Sequence, residues 1–537
     1  MSVTETPPET AEAASETAST ADRPAPTGLA AVLGSGDHKV IGRIYVVASL
    51  LFGGLVIGLG EAFAIESIDP DTLDVFTSDT VFQTFTLQRI GAVFLLALPL
   101  VIGVAMAVVP LQVGARSIAF PRAAAASLWG WLGGSLLLIS SYLANGGPGG
   151  GSEQGVDLWI ASLGLVVVSL LTAAVCLATT VFAVRTTGMS LGRVPLYAWS
   201  VLTASILWLL TLPVLFGLLV LAYVDHRHAG GTGPGSPDAL WSLVTWLLRN
   251  PAIYIVAIPV LGFASDVLIA TSGARLRMRG VAMGAITAFA TFSFGAFLVV
   301  ADEAALESPL VVVLGLIAVL PVLAVAATLA DTFRTGSFKI NASVLYAIGS
   351  MKLLGVAVLG GAIGSIPGVL DAPEGATISD NILFLGVTHA AVIAAVVASL
   401  GGLTWWATKI GRQPADETLA KAAAVVLTLG GILAVIGDMI AGVIGEGGEL
   451  VPDYTGGTTP LNVLTAVGVG IVIVGVLLAL GSLRTLVRRS DDDVPADPWG
   501  GQTLEWLAPS PPPLDNFDGD LAVVVSAEPL IDLREEK

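Results

Sequence analysis

The run Val201–Ala222, VLTASILWLLTLPVLFGLLVLA, contains no charged residue. A second uncharged run covers Val311–Ala330. A helix that crosses the hydrocarbon core of a bilayer needs about 20 consecutive apolar residues. Each run is therefore long enough to span a membrane, and repeated runs of this kind predict a polytopic membrane protein.

The overall composition agrees with this prediction. The chain has 537 residues, of which 54% are hydrophobic and only 12% are charged. Soluble domains carry roughly 25% charged residues, so a water-soluble globule is excluded. The net charge is −18, and the chain has no basic patch of the kind that phosphate neutralisation needs, so no nucleic-acid partner is expected. The single cysteine, Cys176, excludes an intrachain disulfide.

Apolar segments divide the chain into twelve predicted spans. Backbone groups inside lipid must be hydrogen-bonded within the segment, so the spans are expected to be helices and the fold all-α. The predicted limits are 40–64, 84–110, 124–144, 156–184, 196–224, 240–270, 281–301, 308–331, 340–365, 380–407, 418–445 and 460–483.

Basic and acidic loops alternate along these spans. Residues 275–279, for example, carry three arginines, whereas residues 302–307 carry three carboxylates. The positive-inside rule then places both termini in the cytoplasm, which predicts a multi-pass protein of the plasma membrane. The polar segment 1–36 is predicted to be a disordered tail. Residues 37–489 form the predicted membrane domain, and residues 490–537 a Pro-rich cytoplasmic tail.

Several short motifs resemble subunit I of the heme–copper oxidases, the cytochrome c oxidase family. The motifs are DHKVIGR at 37–43, PLQVGAR at 110–116, AFPR at 119–122, PLYAWS at 195–200 and PWGGQTLEW at 498–506, followed by PSPPP at 509–513. The resemblance implies a bundle of twelve helices in three arcs. It also implies heme and copper cofactors held by six histidines, and membership of a respiratory complex with subunit II- or III-like partners.

The heme ligands of this family are mostly absent from the chain. Thr86–Arg89 stands where the family has TMHG, so Gln88 occupies the position of a heme ligand and the cation of Arg89 follows it. The tenth span retains one histidine, His389, which is the only position left that could ligate a heme.

The copper ligands are replaced as well. Asn250 and Tyr254 match the family motif HPEVY, so the copper ligand is an asparagine and the tyrosine lacks its histidine partner. Asp302 and Glu303 stand at two further copper-ligand positions. Imidazole suits iron and copper better than these side chains do, so no metal site and no confident catalytic residue are predicted.

Ionisable residues within the predicted spans need partners. Arg89, Asp266, Lys352 and Asp438 lie in or near predicted helices, where an unpaired charge costs on the order of 3 kcal/mol. We predict that Arg89, together with Lys352, pairs with Asp438 inside the bundle. This cluster would fill the volume that a heme has vacated, or, as the alternative interpretation, form part of an ion path.

The sequence therefore predicts a redox-inactive structural or assembly paralogue of subunit I in an aerobic electron-transport complex, without heme or copper, whose partners are other subunits and lipid. Two alternatives stay open: an active terminal oxidase with unusual ligands, which includes a heme at His389, and an ion-conducting membrane protein. The vacated heme volume is expected either to be closed by small residues or to hold a lipid, a quinone or another cofactor.

Overall fold

The structure is a computed structural model, and part of the chain lies outside its description. It describes residues 32–68, 76, 78–228, 233, 235–249, 251–298, 309–337, 339–370, 381–445, 459–487 and 494–536. Most of the predicted N-terminal tail, residues 1–31, lies outside these ranges. The compact unit considered below is Gly36–Lys537.

Helices make up nearly all of the regular structure in the described residues. They are α1 His38–Glu66, α2 Ser78–Gly91, α3 Leu98–Gln112, α4 Pro121–Leu143, α5 Glu153–Ala183, α6 Leu196–His228, α7 Pro237–Arg249, α8 Pro251–Ser272, α9 Arg279–Leu298, α10 Pro309–Ile317, α11 Val319–Thr335, α12 Ala342–Gly364, α13 Ile382–Trp405, α14 Ala407–Ile410, α15 Glu417–Val443, α16 Thr459–Leu483 and α17 Pro529–Glu535.

Eleven helical segments in the described residues are long and apolar enough to cross a membrane. This confirms the all-α polytopic membrane fold, and the predicted count of twelve is close. The remaining predicted span, 281–301, overlaps α9, which begins two residues earlier at Arg279, and residues 299–301 lie outside the described part of the chain. The predicted span 240–270 is divided into α7 and α8. Pro251 begins α8, because a proline has no N–H to donate and fits only the first turn of a helix.

Side-chain caps fix where several helices begin. Asp37 accepts a hydrogen bond from the Lys39 backbone N–H at 3.0 Å, and Asn341 accepts one from Val344 N–H at 3.0 Å. The first N–H groups of a helix have no partner within the helix, so an oxygen acceptor at this position stabilises the start. These caps lie at the junctions between apolar runs and polar loops.

Small residues allow the helices to approach closely. At Gly468 of α16, a Cβ atom would lie 2.1 Å from the backbone nitrogen of Ala434 in α15. Any larger residue at position 468 would therefore push the two helices apart. Contact through small residues is a general means of packing helices in lipid, and it closes part of the volume between α15 and α16.

The C-terminal segment 494–536 packs across the end of the bundle at which α1 begins, which we call the tail face. Asn516 Nδ2 donates to the carbonyl of Ala115 at 2.8 Å, and Lys39 Nζ donates to Asn516 Oδ1 at 2.9 Å. Lys409 Nζ donates to the carbonyl of Ala508 at 2.5 Å. The predicted tail is therefore anchored to the helices through buried side chains.

Candidate functional site

Gln88 and Arg89 lie at the end of α2, immediately before an irregular turn. Residues Ala92–Ala97 form a π-helical turn that joins α2 to α3, and all six side chains in it are buried. A π-turn shifts the residues on either side of it relative to a regular α-helix, and such turns are frequent at functional sites. The turn is thus part of what orients the polar pair toward the interior of the bundle.

Arg89 makes a direct hydrogen bond to His389 of α13. Nη1 of Arg89 lies 2.9 Å from Nε2 of His389. A guanidinium can only donate hydrogen bonds, so Nε2 must be the acceptor. His389 is therefore the neutral tautomer with its proton on Nδ1, an assignment that follows from the bonding partner. The cation also stacks on Phe85, whose ring centroid lies 4.6 Å from Cζ of Arg89.

Asp438 of α15 lies on the other side of the same imidazole. Its Oδ2 is 4.0 Å from Nδ1 of His389, and its Oδ1 accepts a hydrogen bond from Thr465 Oγ1 at 3.0 Å. The arginine and the carboxylate are opposite charges separated by a neutral histidine. The structure thus brings Arg89 and Asp438 together through His389, and the sequence did not predict this intermediary.

These polar groups line one cavity of about 140 Å³ between α1, α2, α13, α15 and α16. The His389 side chain is 25% exposed, although it lies within a bundle of membrane-spanning helices, so its free surface faces this cavity. Gln88 also lines it, and the remaining wall is mostly aliphatic and aromatic. Among the lining residues are Val56, Phe63, Phe85, Leu96, Leu385, Val396, Leu427, Ala434, Asn462, Thr465 and Val472.

The structure places the other predicted residues elsewhere. Lys352 is exposed on α12 and does not line this cavity, because its position on the helix turns away from Asp438. Tyr254 lies in the first turn of α8, and its side chain lies outside the description. Asn250, Asp302 and Glu303, the predicted vacated copper positions, lie outside the described residues altogether. In the described ranges, no group of three or more His, Cys, Asp or Glu side chains could hold a metal ion.

A second buried polar cluster lies at the tail face, and the sequence did not predict it. Gln112 Nε2 donates to Asp266 Oδ2 at 3.0 Å and to Glu505 Oε1 at 3.2 Å. Trp406 Nε1 also donates to Glu505 Oε1 at 3.2 Å. Burial raises the pKa of the Glu505 carboxyl. The signal that could have found the cluster is the isolated Asp266 in an apolar span, which needs donors nearby.

The helical bundle is that of a polytopic membrane protein. A sequence profile of the family Cytochrome C and Quinol oxidase polypeptide I matches residues 40–471. The chain belongs to this family.

Individual proteins agree with this assignment. The chain is 28% identical to a Streptomyces coelicolor protein named as cytochrome c oxidase subunit 1-beta, over 93% of this chain and 89% of that protein. It is 26% identical to quinol oxidase subunit 1 of Bacillus subtilis, over 93% and 80% of the two chains. A solved heme-copper terminal oxidase dimer shares the fold, with a TM-score of 0.67, 14% identity and 85% coverage of each chain.

The cavity can be tested against the heme that this family carries. The lone pair on Nε2 of His389, which an iron would need, accepts a hydrogen bond from Nη1 of Arg89. Gln88, at the opposite ligand position, is an amide. An apolar cavity of about 150 Å³ holds one benzene, and a porphyrin is several times larger than the space of about 140 Å³ seen here. The residues present do not fit a heme at this position.

Proposed function

We propose that this chain is a redox-inactive subunit I paralogue that serves as a structural or assembly member of a membrane respiratory complex. The observation that carries the proposal is the hydrogen bond between Arg89 and His389. The bond occupies Nε2 of His389, the one histidine that the sequence retains as a candidate heme ligand. It also places a permanent positive charge at the site. Arginine stays charged in proteins, so the bond does not open by deprotonation of Arg89.

The sequence supports the same proposal at the copper positions. By the resemblance to the family, Asn250, Asp302 and Glu303 stand at positions where three imidazoles are expected, and imidazole is the ligand that suits copper in such sites. Replacements at the heme and copper positions occur together, which favours loss of the whole redox centre over one altered ligand. An active oxidase with unusual ligands would require a new ligand for each metal.

The parts of the chain that keep the family motifs are those that build the tail face. Segment 498–506 carries Glu505 and Trp506, which are buried against the helices, and Lys409 and Asn516 anchor the residues that follow. A subunit that only binds other subunits is expected to keep the motifs of the tail face and to lose the residues of the redox centre. We propose that its partners are subunit II- or III-like proteins and lipid, in the plasma membrane with both termini in the cytoplasm.

An affinity-capture experiment on the full chain tests this role. The tagged chain is recovered from crosslinked membranes, and the recovered material is assayed for oxygen uptake with reduced cytochrome c and with a quinol. We expect co-recovery of a subunit II- or III-like protein. We also expect no oxygen uptake by the chain purified away from other oxidase subunits. Oxygen uptake by the purified chain at the level of an active oxidase would contradict the proposal.

A further inference from the structure

The cavity beside Arg89 has the character of a binding site for an amphiphile. Its polar residues are Ser67, Gln88, Arg89, His389, Asp438, Asn462 and Thr465, and the rest of its wall is apolar. Sites for small molecules typically combine an apolar lining with a few convergent polar groups that fix orientation. A ligand of matching chemistry has a small polar head and a hydrocarbon body.

The charges around the cavity are balanced without a ligand. Arg89 carries one positive charge and Asp438 can carry one negative charge, while His389 is neutral because its Nε2 accepts from Arg89. An anionic head would leave an excess negative charge among membrane-spanning helices, and a cationic head an excess positive charge; either is expensive there. The balance favours a neutral head.

The hydrogen-bonding capacity of the cavity favours an acceptor. A guanidinium offers five N–H donors, and within the described residues His389 Nε2 is the one acceptor bonded to Arg89. Arg89 is only partly buried, so the remaining donors are accessible from the cavity. A carbonyl oxygen is the neutral group that accepts from such donors.

We propose that this cavity binds a neutral amphiphile, with a carbonyl oxygen of its head at Arg89 and its hydrocarbon along the wall that includes Leu96, Val396, Leu427 and Val472. This inference rests on the proposed function, in which the cavity holds no heme. The volume of about 140 Å³ is close to that of a cavity that holds one benzene ring, so it takes the carbonyl head and the adjoining carbons of the ligand. Acylglycerols and isoprenoid quinones both present this chemistry, and the experiment separates them.

Photolabelling of the purified full-length chain in detergent tests the proposal. The probe is a monoacylglycerol that carries a diazirine in its acyl chain, and the comparison probe is the corresponding fatty acid at pH 8, where it is anionic. We expect the neutral probe to label peptides that contain 382–397 and 427–438, and the anionic probe to label them less. Competition with a diacylglycerol or with a menaquinone then identifies the source of the natural ligand.

Substitutions on one helix supply a matched control. Ala434→Phe fills the cavity, whereas Leu429→Phe changes a residue of α15 that is 57% exposed and should leave labelling unchanged. Arg89→Met should lower labelling about tenfold, the effect of losing a hydrogen bond from a charged donor. Size-exclusion chromatography verifies that each variant remains folded.

The outcomes distinguish this inference from the proposed function. Labelling spread evenly over exposed helices, equal loss in Ala434→Phe and Leu429→Phe, or stronger labelling by the anionic probe would each overturn the neutral-amphiphile site. A heme absorption band in the same sample would instead overturn the proposed function. Absence of both heme and specific labelling would overturn the inference alone.

Discussion

Nη1 of Arg89 lies 2.9 Å from Nε2 of His389, and the bond joins α2 to α13 across 300 positions of the chain. It gives a partly buried cation an acceptor and a partly buried imidazole a donor. Unpaired, each group would be costly among membrane-spanning helices. The same bond occupies the atom that a metal would need, so under the proposed function one contact both stabilises the polar cluster and takes up a ligand position.

Replacement of His389 by alanine should destabilise the protein. The change removes the acceptor for Arg89, and hydrogen bonds to charged groups contribute about 1.5–3 kcal/mol. Thermal unfolding in detergent measures the effect, with Ser140→Ala as the control because Ser140 is exposed and bonds only within its own helix among the described residues. Equal unfolding temperatures for the two variants would show that the bond does not stabilise the fold.

Removal of the charge from Asp438 should also destabilise the protein. Asp438→Asn leaves the hydrogen-bond geometry toward Thr465 nearly unchanged but deprives Arg89 of its counter-charge. Arg89→Met combined with Asp438→Asn should be less harmful than the sum of the two changes, with a coupling of about 1–3 kcal/mol. A double-mutant cycle on unfolding free energy measures this coupling, and strict additivity would mean that His389 does not link the two charges.

Lys409 should hold the C-terminal segment on the bundle. Its Nζ donates to the Ala508 carbonyl at 2.5 Å and to Ser510 Oγ at 3.1 Å. Lys409→Met removes these charge-assisted bonds, so limited proteolysis after residue 494 should become several times faster. Lys421→Met is the control, since among the described residues Lys421 forms only a surface ion pair with Glu417 at 3.2 Å. Equal cleavage rates in the two variants would contradict this anchoring.

Docking of the C-terminal segment should weaken as the pH rises. Burial raises the pKa of Glu505 above its ordinary value of 4.5. The docked state therefore binds the proton more tightly than the undocked state, so the stabilisation is complete below the ordinary pKa and is lost as the pH passes the raised pKa.

Two variants separate the contribution of Glu505 to this pH dependence from the contributions of neighbouring groups. Asp266 and Lys409 interact electrostatically with the Glu505 carboxyl, so some of the pH dependence belongs to them. Glu505→Gln should remove the part due to Glu505 and flatten the dependence of the proteolysis rate on pH above the ordinary pKa of 4.5. Glu536→Gln, at an exposed position, serves as the control. An unchanged pH profile in Glu505→Gln would assign the response to the other groups.

The fold was accessible from the sequence because it depends on long apolar runs and on short family motifs. The hydrogen-bond partner of Arg89 could not be predicted from the sequence. Charge alone pointed to Asp438 and Lys352, but the neutral His389 intervenes and Lys352 faces outward. The rotation of each helix about its axis and the π-turn after Gly91 determine which way these side chains point. Neither can be predicted from the spacing of residues in the sequence. Gln112 donates hydrogen bonds to both Asp266 and Glu505. These three residues lie far apart in the chain, so the sequence did not predict this contact either.

The stoichiometry of heme and copper in the purified full-length chain tests the central claim most directly. A dithionite-reduced minus oxidised absorption spectrum reports heme, and metal analysis of the same sample reports iron and copper. The account predicts no heme bands and no copper above background, in the presence of a folded, monodisperse protein. Heme and copper at one or more equivalents per chain would contradict it, and heme without copper would mean that the bond between Arg89 and His389 gives way to iron.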